Sequence, residues 1–389
     1  MGKIKFKVTK EMREKLKVAQ SFVANSEKRS LGDYNLSDYV QIVVENGTVV
    51  LRTTNGISQY FETLLETENV SGEGSFIVNT KLLNSLVGKK EDTVVTYSDD
   101  SQTVKILGDG SRISIKSSVV PFPAAPEMSE GAYTVSIPVG KLVEGFSKVN
   151  YAVYTGEKLE QLAYTGVRID YFDKTLSFSA MDGARLVYTT IPADCVTLDN
   201  NIIVPQWLSR FVSSVKWDDK DMMAIIMKDD SRVGISIGNV SIISNRYRGE
   251  FRELKPLADE PRWWIEVNRE KLLNTLQEIK AILPAKMSTA SATVFDFQPE
   301  NNGTLDIRTA QVLGEVWTSF SYEVVEGEIP KEFKSAFNPK YVEDAVKALP
   351  RDAEKALLGF SARMRPIAIC TRATRDCLHL IAPVIFSEY

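Results

Sequence analysis

Short runs of alternating apolar and polar residues make up most of the chain, and six stretches break that rhythm with apolar residues every three or four positions. Alternation predicts half-buried strands, and the wider spacing predicts amphipathic helices. The helical stretches are 10–25, with Met12, Leu16, Ala19 and Val23 inward; 79–88; Val139–Val149; 205–216; 268–283, with Leu272, Leu276, Ile279 and Leu283 before Pro284; and 338–349. In the last, Asn338 can cap free N–H groups of the first turn, and Pro339 fits the first helical position, which needs no donor. Tyr341, Val342, Ala345, Val346 and Leu349 then share a face until Pro350 ends the run.

The strands between these helices pair as hairpins. Tyr39–Glu45 and 48–53 flank Asn46-Gly47, and 103–107 and Ser111–Lys116 flank Asp109-Gly110. Runs 166–170 and 175–180 flank Asp173-Lys174, and another pair surrounds Asn302-Gly303. Asn-Gly and Asp-Gly supply the left-handed backbone that a two-residue hairpin turn needs. Runs 57–64, 93–98, 186–191, 222–227, Arg232–Ile237, 240–244, 356–361, Ile367–Cys370 and 378–384 complete the predicted strands.

This order repeats. A strand running into a helix occurs at Phe76 to Leu83, Ile202 to Leu208 and Phe337 to Leu349, and a similar unit precedes each, beginning at Ile4, Tyr133 and Trp264. Successive copies lie about 130 residues apart, one third of the 389 residues. The spacing predicts three domains, 1–127, 128–257 and 258–389, with a linker at Pro121, Pro123 and Pro126 and a second near Lys255-Pro256-Leu257. The expected class is α+β: each domain is two β-α-β-β-β halves, with helices on one face of antiparallel sheets.

Composition narrows the function. Hydrophobic content of 43% and charged content of 25% are those of an ordinary globular protein. No apolar run approaches the roughly 20 residues of a membrane helix, and no signal-peptide segment opens the chain, so a cytoplasmic protein without a membrane partner is expected. Cys195, Cys370 and Cys377 form no C-x-x-C pair and read as reduced, buried residues. His379 is the single histidine, so no histidine cluster can hold a metal or build a triad. Asp99-Asp100, Asp218-Asp219 and Asp229-Asp230 fall at predicted turns and read as solvated. No cofactor and no catalytic activity are expected.

The net charge of −4 argues against nucleic acid until it is divided. The six helix segments, taken with their flanks, carry +10 and the remainder −14. A basic helical layer suits a polyanion that meets only the helices.

Four motifs then resemble one family: Ala180-Met181-Asp182-Gly183-Ala184-Arg185-Leu186, Ser244-Asn245-Arg246-Tyr247-Arg248-Gly249-Glu250-Phe251, Phe337-Asn338-Pro339-Lys340-Tyr341 and Leu380-Ile381-Ala382-Pro383-Val384. In order and spacing they resemble the beta sliding clamp of bacterial DNA polymerase III, over essentially the whole chain. The resemblance implies a homodimer closing into a six-domain ring around double-stranded DNA, a processivity factor for the replicative DNA polymerase. It also implies a clamp loader and other clamp-binding-motif proteins as partners, and a nucleoid-associated location. Twelve helices side by side at about 9–10 Å give a circumference near 115 Å and a centre-line diameter near 37 Å. Subtracting about 10 Å of helix thickness leaves an opening of roughly 27 Å, enough for a duplex about 20 Å across. Six helices would leave about 8 Å, so one chain cannot enclose DNA.

Candidate phosphate contacts are Lys10, Arg13, Lys17, Lys28, Arg29, Lys81, Lys148, Arg210, Lys280 and Lys347. By the resemblance, a partner-peptide pocket would use Tyr164, Met181, Gly183, Arg185, Leu186, Leu257, Met364, Pro366, Ile381, Pro383 and Val384, with Asn338 and Tyr341 nearby. Ala184 stands where the family usually has histidine, and Ser387-Glu388-Tyr389 extends past the usual end, which puts the usual peptide preference in doubt. By the same resemblance, the subunit boundary would pair Ile113 and Ile115 with Ile282 and Leu283; the alternative is that these four are domain core. The alternative reading is a three-domain β-rich interaction protein that does not encircle DNA, and a carboxylate-only hydrolase is a third.

Overall fold

Asn46 and Gly47 both take positive φ, 50° and 74°, and join Tyr39–Glu45 to Thr48–Thr54 in a tight hairpin. Asp109-Gly110 does the same between Thr103–Gly108 and Ser111–Lys116. The computed structural model describes residues 3–25, 30–31, 34–88, 92–129, 132–156, 159–172, 174–192, 201–247, 251, 261–283, 292–298, 303–311 and 313–385. Among the predicted turn residues, Asp173 and Asn302 lie outside these.

Six helices form among the described residues: α1 Lys10–Asn25, α2 Thr80–Val87, α3 Val139–Val149, α4 Gln206–Ser214, α5 Arg269–Ile282 and α6 Pro339–Ala348. Three are capped alike. The side-chain oxygens of Asn79, Asn268 and Asn338 accept from the N–H groups of Leu82, Lys271 and Lys340 at 3.0, 2.8 and 3.0 Å.

The chain divides into two compact units, and the predicted middle domain contributes to both. The first holds 1–146, 169–175 and 192–247. One of its sheets runs Ser111–Lys116, Thr103–Gly108, Val94–Ser98, Lys3–Val8, Thr67–Ser71. The other has eight strands, in the order Tyr133–Pro138, Met223–Lys228, Arg232–Ile237, Val240–Asn245, Gln59–Leu65, Thr48–Thr54, Tyr39–Glu45, Gly74–Asn79. It joins sequence from two predicted repeats where Val240 to Ser244 pair with Thr63 to Gln59. Under it Phe22 meets Phe61, Trp207 and Phe211 at 5.3–5.7 Å between ring centroids. Phe22 is fully buried and Val23 only half-buried, which corrects the predicted inner face of α1. Helical spacing fits either residue, and the larger apolar surface went inside.

In the second unit, seven neighbouring strands of a nine-stranded sheet run Thr175–Met181, Arg185–Pro192, Cys377–Ile381, Ile367–Cys370, Lys355–Phe360, Trp263–Asn268, Glu323–Glu326. Here too sequence from two predicted repeats pairs, Arg185 to Thr189 against Ile381 to Cys377. A four-stranded sheet runs Gly314–Ser321, Thr304–Gln311, Thr293–Gln298, Phe333–Phe337. α5 and α6 close its core through Leu272, Leu276, Ile279, Val342, Ala345 and Val346. The terminal strand stops at Ile381, short of the predicted 384: Pro383 has no N–H for a ladder, and the segment departs to form its own bonds.

Candidate functional site

The motif after Met181 folds as a tight turn held by Asp182. Its Oδ1 accepts from the N–H groups of Ala184 and Arg185 at 3.1 and 3.0 Å, and Gly183 has φ +94°, which suits glycine. The turn fixes Arg185, whose side chain is 10% exposed. Arg185 Nε donates to Asp182 Oδ2 at 2.9 Å, Nη1 to Asp344 Oδ2 at 2.7 Å and Nη2 to Tyr151 O at 2.9 Å. The guanidinium also lies 5.2 Å from the Tyr151 ring centre and 4.6 Å from that of Tyr341. Arg185 is therefore a post tying the turn to α6, with its donors directed inward. Behind it, Tyr151 Oη and His379 Nδ1 share a 2.6 Å hydrogen bond. Burial, then the charge of Lys148, pulls the His379 pKa down to about 4, so the imidazole is neutral at pH 7.

The C-terminal segment seals the same end of the sheet. Ala382 N–H donates to Ala184 O at 2.8 Å, and Val384 N–H donates to Ala336 O at 2.7 Å. Next to Ala336, the Ser335 hydroxyl holds Arg363 O at 2.8 Å, which brings the loop carrying Met364 and Pro366 alongside. Met364 is 57% and Ile385 83% exposed, while Tyr341, Pro366, Pro383 and Val384 are half-buried. Met181, Leu186 and Ile381 are buried, as core residues are. Tyr164 is half-buried and packs edge-on against Phe251 at 5.3 Å; Asn338 caps α6, and Leu257 lies outside the described residues. The accessible apolar surface of this group is thus Met364, Ile385 and their half-buried neighbours. A cleft of about 410 Å³ lies elsewhere, along the polar side of α5 beside Thr318.

On the helices, Lys10, Lys17, Lys81, Arg210, Lys280 and Lys347 are exposed. Lys17 pairs with Glu14 at 3.0 Å. Lys280 and Lys347 both pair with Glu343. Arg13 is half-buried and donates to Val87 O at 3.0 Å, bonding the last residue of α2, and Lys148 is half-buried. Lys28 and Arg29 lie outside the described residues. The helices as formed hold thirteen basic and seven acidic residues, a net of +6; the flanks counted with them in the sequence supply the other four positive charges.

Ser111–Lys116 and Gly314–Ser321 are edge strands of their sheets. Ile113, Ile115 and Ile282 are half-buried; Leu283 is 8% exposed and belongs to the core of the second unit. Trp317, 63% exposed on the second edge strand, was not singled out by sequence reasoning, since alternation does not say which face is wet. Tyr151, Asp182, Asp344 and Glu343 were also missed; the N-cap-like Asp182-Gly183 pair was the available signal for the first turn. Asp229 departs from its expected solvated state. It is 8% exposed, and although burial pushes its pKa up, N–H donors of Ser129, Ser231 and Arg232 bring it down to about 2.

No family model matches the sequence. It is 26% identical to the beta sliding clamp of Synechocystis over 313 residues, 73% of this chain and 76% of that one. Its fold matches the DNA polymerase III beta subunit of Thermotoga maritima with a TM-score of 0.82, covering 99% of this chain and all of the other at 19% identity. The sliding clamp of Bartonella birtlesii, solved bound to griselimycin, matches with a TM-score of 0.82 over 99% and 100% of the chains at 18% identity. In sequence and in fold, the chain is similar to the beta sliding clamps. Its α+β sliding-clamp fold, with antiparallel sheets, is the class read from the sequence. Among the described residues, no helix is long and apolar enough to cross a membrane.

Proposed function

We propose that two copies of the chain close head to tail into a ring around duplex DNA. The ring tethers a replicative DNA polymerase in the cytoplasm, acting by enclosure and without a reaction of its own. The observation that carries this reading is the likeness to clamps along nearly the whole length, joined to a helical layer whose exposed side chains include Lys10, Lys17, Lys81, Arg210, Lys280 and Lys347. In the same reading the repeats 1–127, 128–257 and 258–389 are the six domains of the ring, counted twice. Ser111–Lys116 and Gly314–Ser321 give each copy two open sheet edges. Pairing one copy's first edge with the other's second would satisfy both and cover two edges that could otherwise aggregate. Polymerase and clamp-loader peptides would dock where Met364, Tyr341 and the 383–385 segment meet, at the end of the sheet braced by Arg185.

Native mass spectrometry with solution scattering tests the ring. A species of twice the 43.5 kDa chain mass, with the scattering of a hollow particle, is expected. A monomer, or a dimer without a central hole, would favour the β-rich interaction protein instead. Peptide docking is tested separately: Met364→Asp with 384–389 deleted should abolish polymerase stimulation and leave the dimer intact.

A further inference from the structure

α5 and α6 meet along a seam carrying two of the lysines assigned to the DNA face, and a carboxylate lies between them. Glu343 is 2% exposed. Its Oε1 accepts from Lys347 on its own helix, and its Oε2 accepts from Lys280 of α5 at 3.4 Å. The lysine side chains are 51% and 56% exposed, so both ammonium groups face water above a countercharge that does not. Burial raises the Glu343 pKa, but the bonds and charges of Lys347 and Lys280 outweigh it and hold the group below the usual carboxylate range. It is ionised at neutral pH, and three charged groups present one net positive charge.

Holding the helices together does not require this arrangement. The α1–α2 seam uses a neutral amide pair, Asn84 Nδ2 donating to Gln20 Oε1. Packed apolar residues in place of a buried ion pair are often as stable or more so. The charge therefore calls for another role.

We propose that Glu343 is a built-in countercharge that loosens the hold of the α5–α6 seam on DNA phosphates, so that the enclosed duplex stays free to move. The inference rests on the DNA-encircling reading. A phosphate approaching Lys280 or Lys347 competes with a fixed carboxylate already bonded to both, so each ammonium gains less from the contact than an unpaired one would. A neutral side chain at this position would release the pair to the DNA.

The test is the salt dependence of binding to a labelled duplex of about 30 base pairs, where each added phosphate contact steepens the slope of log K against log salt by roughly 0.9. Glu343→Gln is expected to steepen that slope by about one and to tighten binding about fivefold near 0.1 M salt. Glu343→Met, which fills similar volume without charge, should shift both in the same direction. Lys280→Gln alone should change little; added to Glu343→Gln, it should return slope and affinity towards the wild-type values. Glu332→Gln makes the same charge change at an exposed site outside the helices and should leave the slope unaltered. Unchanged or weaker binding by Glu343→Gln, with the wild-type slope, would overturn the inference alone. Absence of salt-dependent binding by the wild-type protein would overturn the DNA reading and the inference together.

Discussion

In the α1–α2 seam of the first unit, Arg13 near the start of one helix donates to Val87 O at the end of the other. In the α5–α6 seam of the second, Arg269 at the start of α5 donates to Val346 O at 3.1 Å and to Leu349 O at 3.4 Å, and further to Arg351 O and Ala353 O, each at 3.3 Å. Both seams are antiparallel pairs in which an arginine meets the carbonyl-rich, partly negative end of the partner helix. Farther along they differ: one carries the Gln20–Asn84 amide pair and the other a buried carboxylate between two lysines. The end-to-end brace is common to both seams. The charge differs only in the middle of the seam.

The largest expected effect breaks the charged seam. Lys280→Met with Lys347→Met strands Glu343 ionised and buried, and urea denaturation at pH 7 should show the second unit destabilised by about 3–5 kcal/mol. Burial then raises the carboxyl pKa unopposed, so much of this loss should vanish on acidification. In the wild type the sign is opposite: the folded pKa is depressed, so the stabilisation is present above the unfolded pKa and fades as pH falls.

Acid should also separate the two units through His379, the chain's one histidine, which lies in the second. Its folded pKa of about 4 is below the ordinary imidazole value of 6.5, so the unfolded chain binds the proton first. Stability is full above pH 6.5, declines towards pH 4 and is flat below, a loss of about 3 kcal/mol that His379→Phe should remove. Hydrogen exchange as a function of pH would read this unit by unit.

Smaller effects sharpen the comparison of the braces. Arg269→Ala should cost about 2.5 kcal/mol in urea denaturation, and Arg13→Ala about 1.5, because a hydrogen bond from a charged donor contributes roughly 1.5–3 and Arg269 reaches four carbonyls of the partner end. Gln20→Ala should cost about 1 kcal/mol or less, the contribution of one neutral hydrogen bond with part of its partner open to water.

Much of this fold was legible from local chemistry. Asn338-Pro339 announced the start of α6, Asn46-Gly47 and Asp109-Gly110 placed their turns, and helical spacing located all six helices. Pairing across repeats was not legible, because strands such as 59–65 and 240–245 carry no local mark of each other, and register between distant segments is set by the assembled core. Phe22 in place of Val23 reflects the same limit, since spacing gave a face and packing chose the residue. At the candidate sites, the motif residues around Arg185 stood out, but the roles of Asp344 and Glu343 did not. Each acts through a partner far away in sequence, Arg185 in one case and Lys280 in the other.

Enclosure can be tested by making the DNA circular after the protein has threaded it. A linear duplex would be incubated with the protein, closed by ligation and washed at moderate salt, and one site would then be cut. The ring account predicts that protein stays on the closed circle through the wash and leaves once the circle is opened. Equal loss from circular and linear DNA would contradict it.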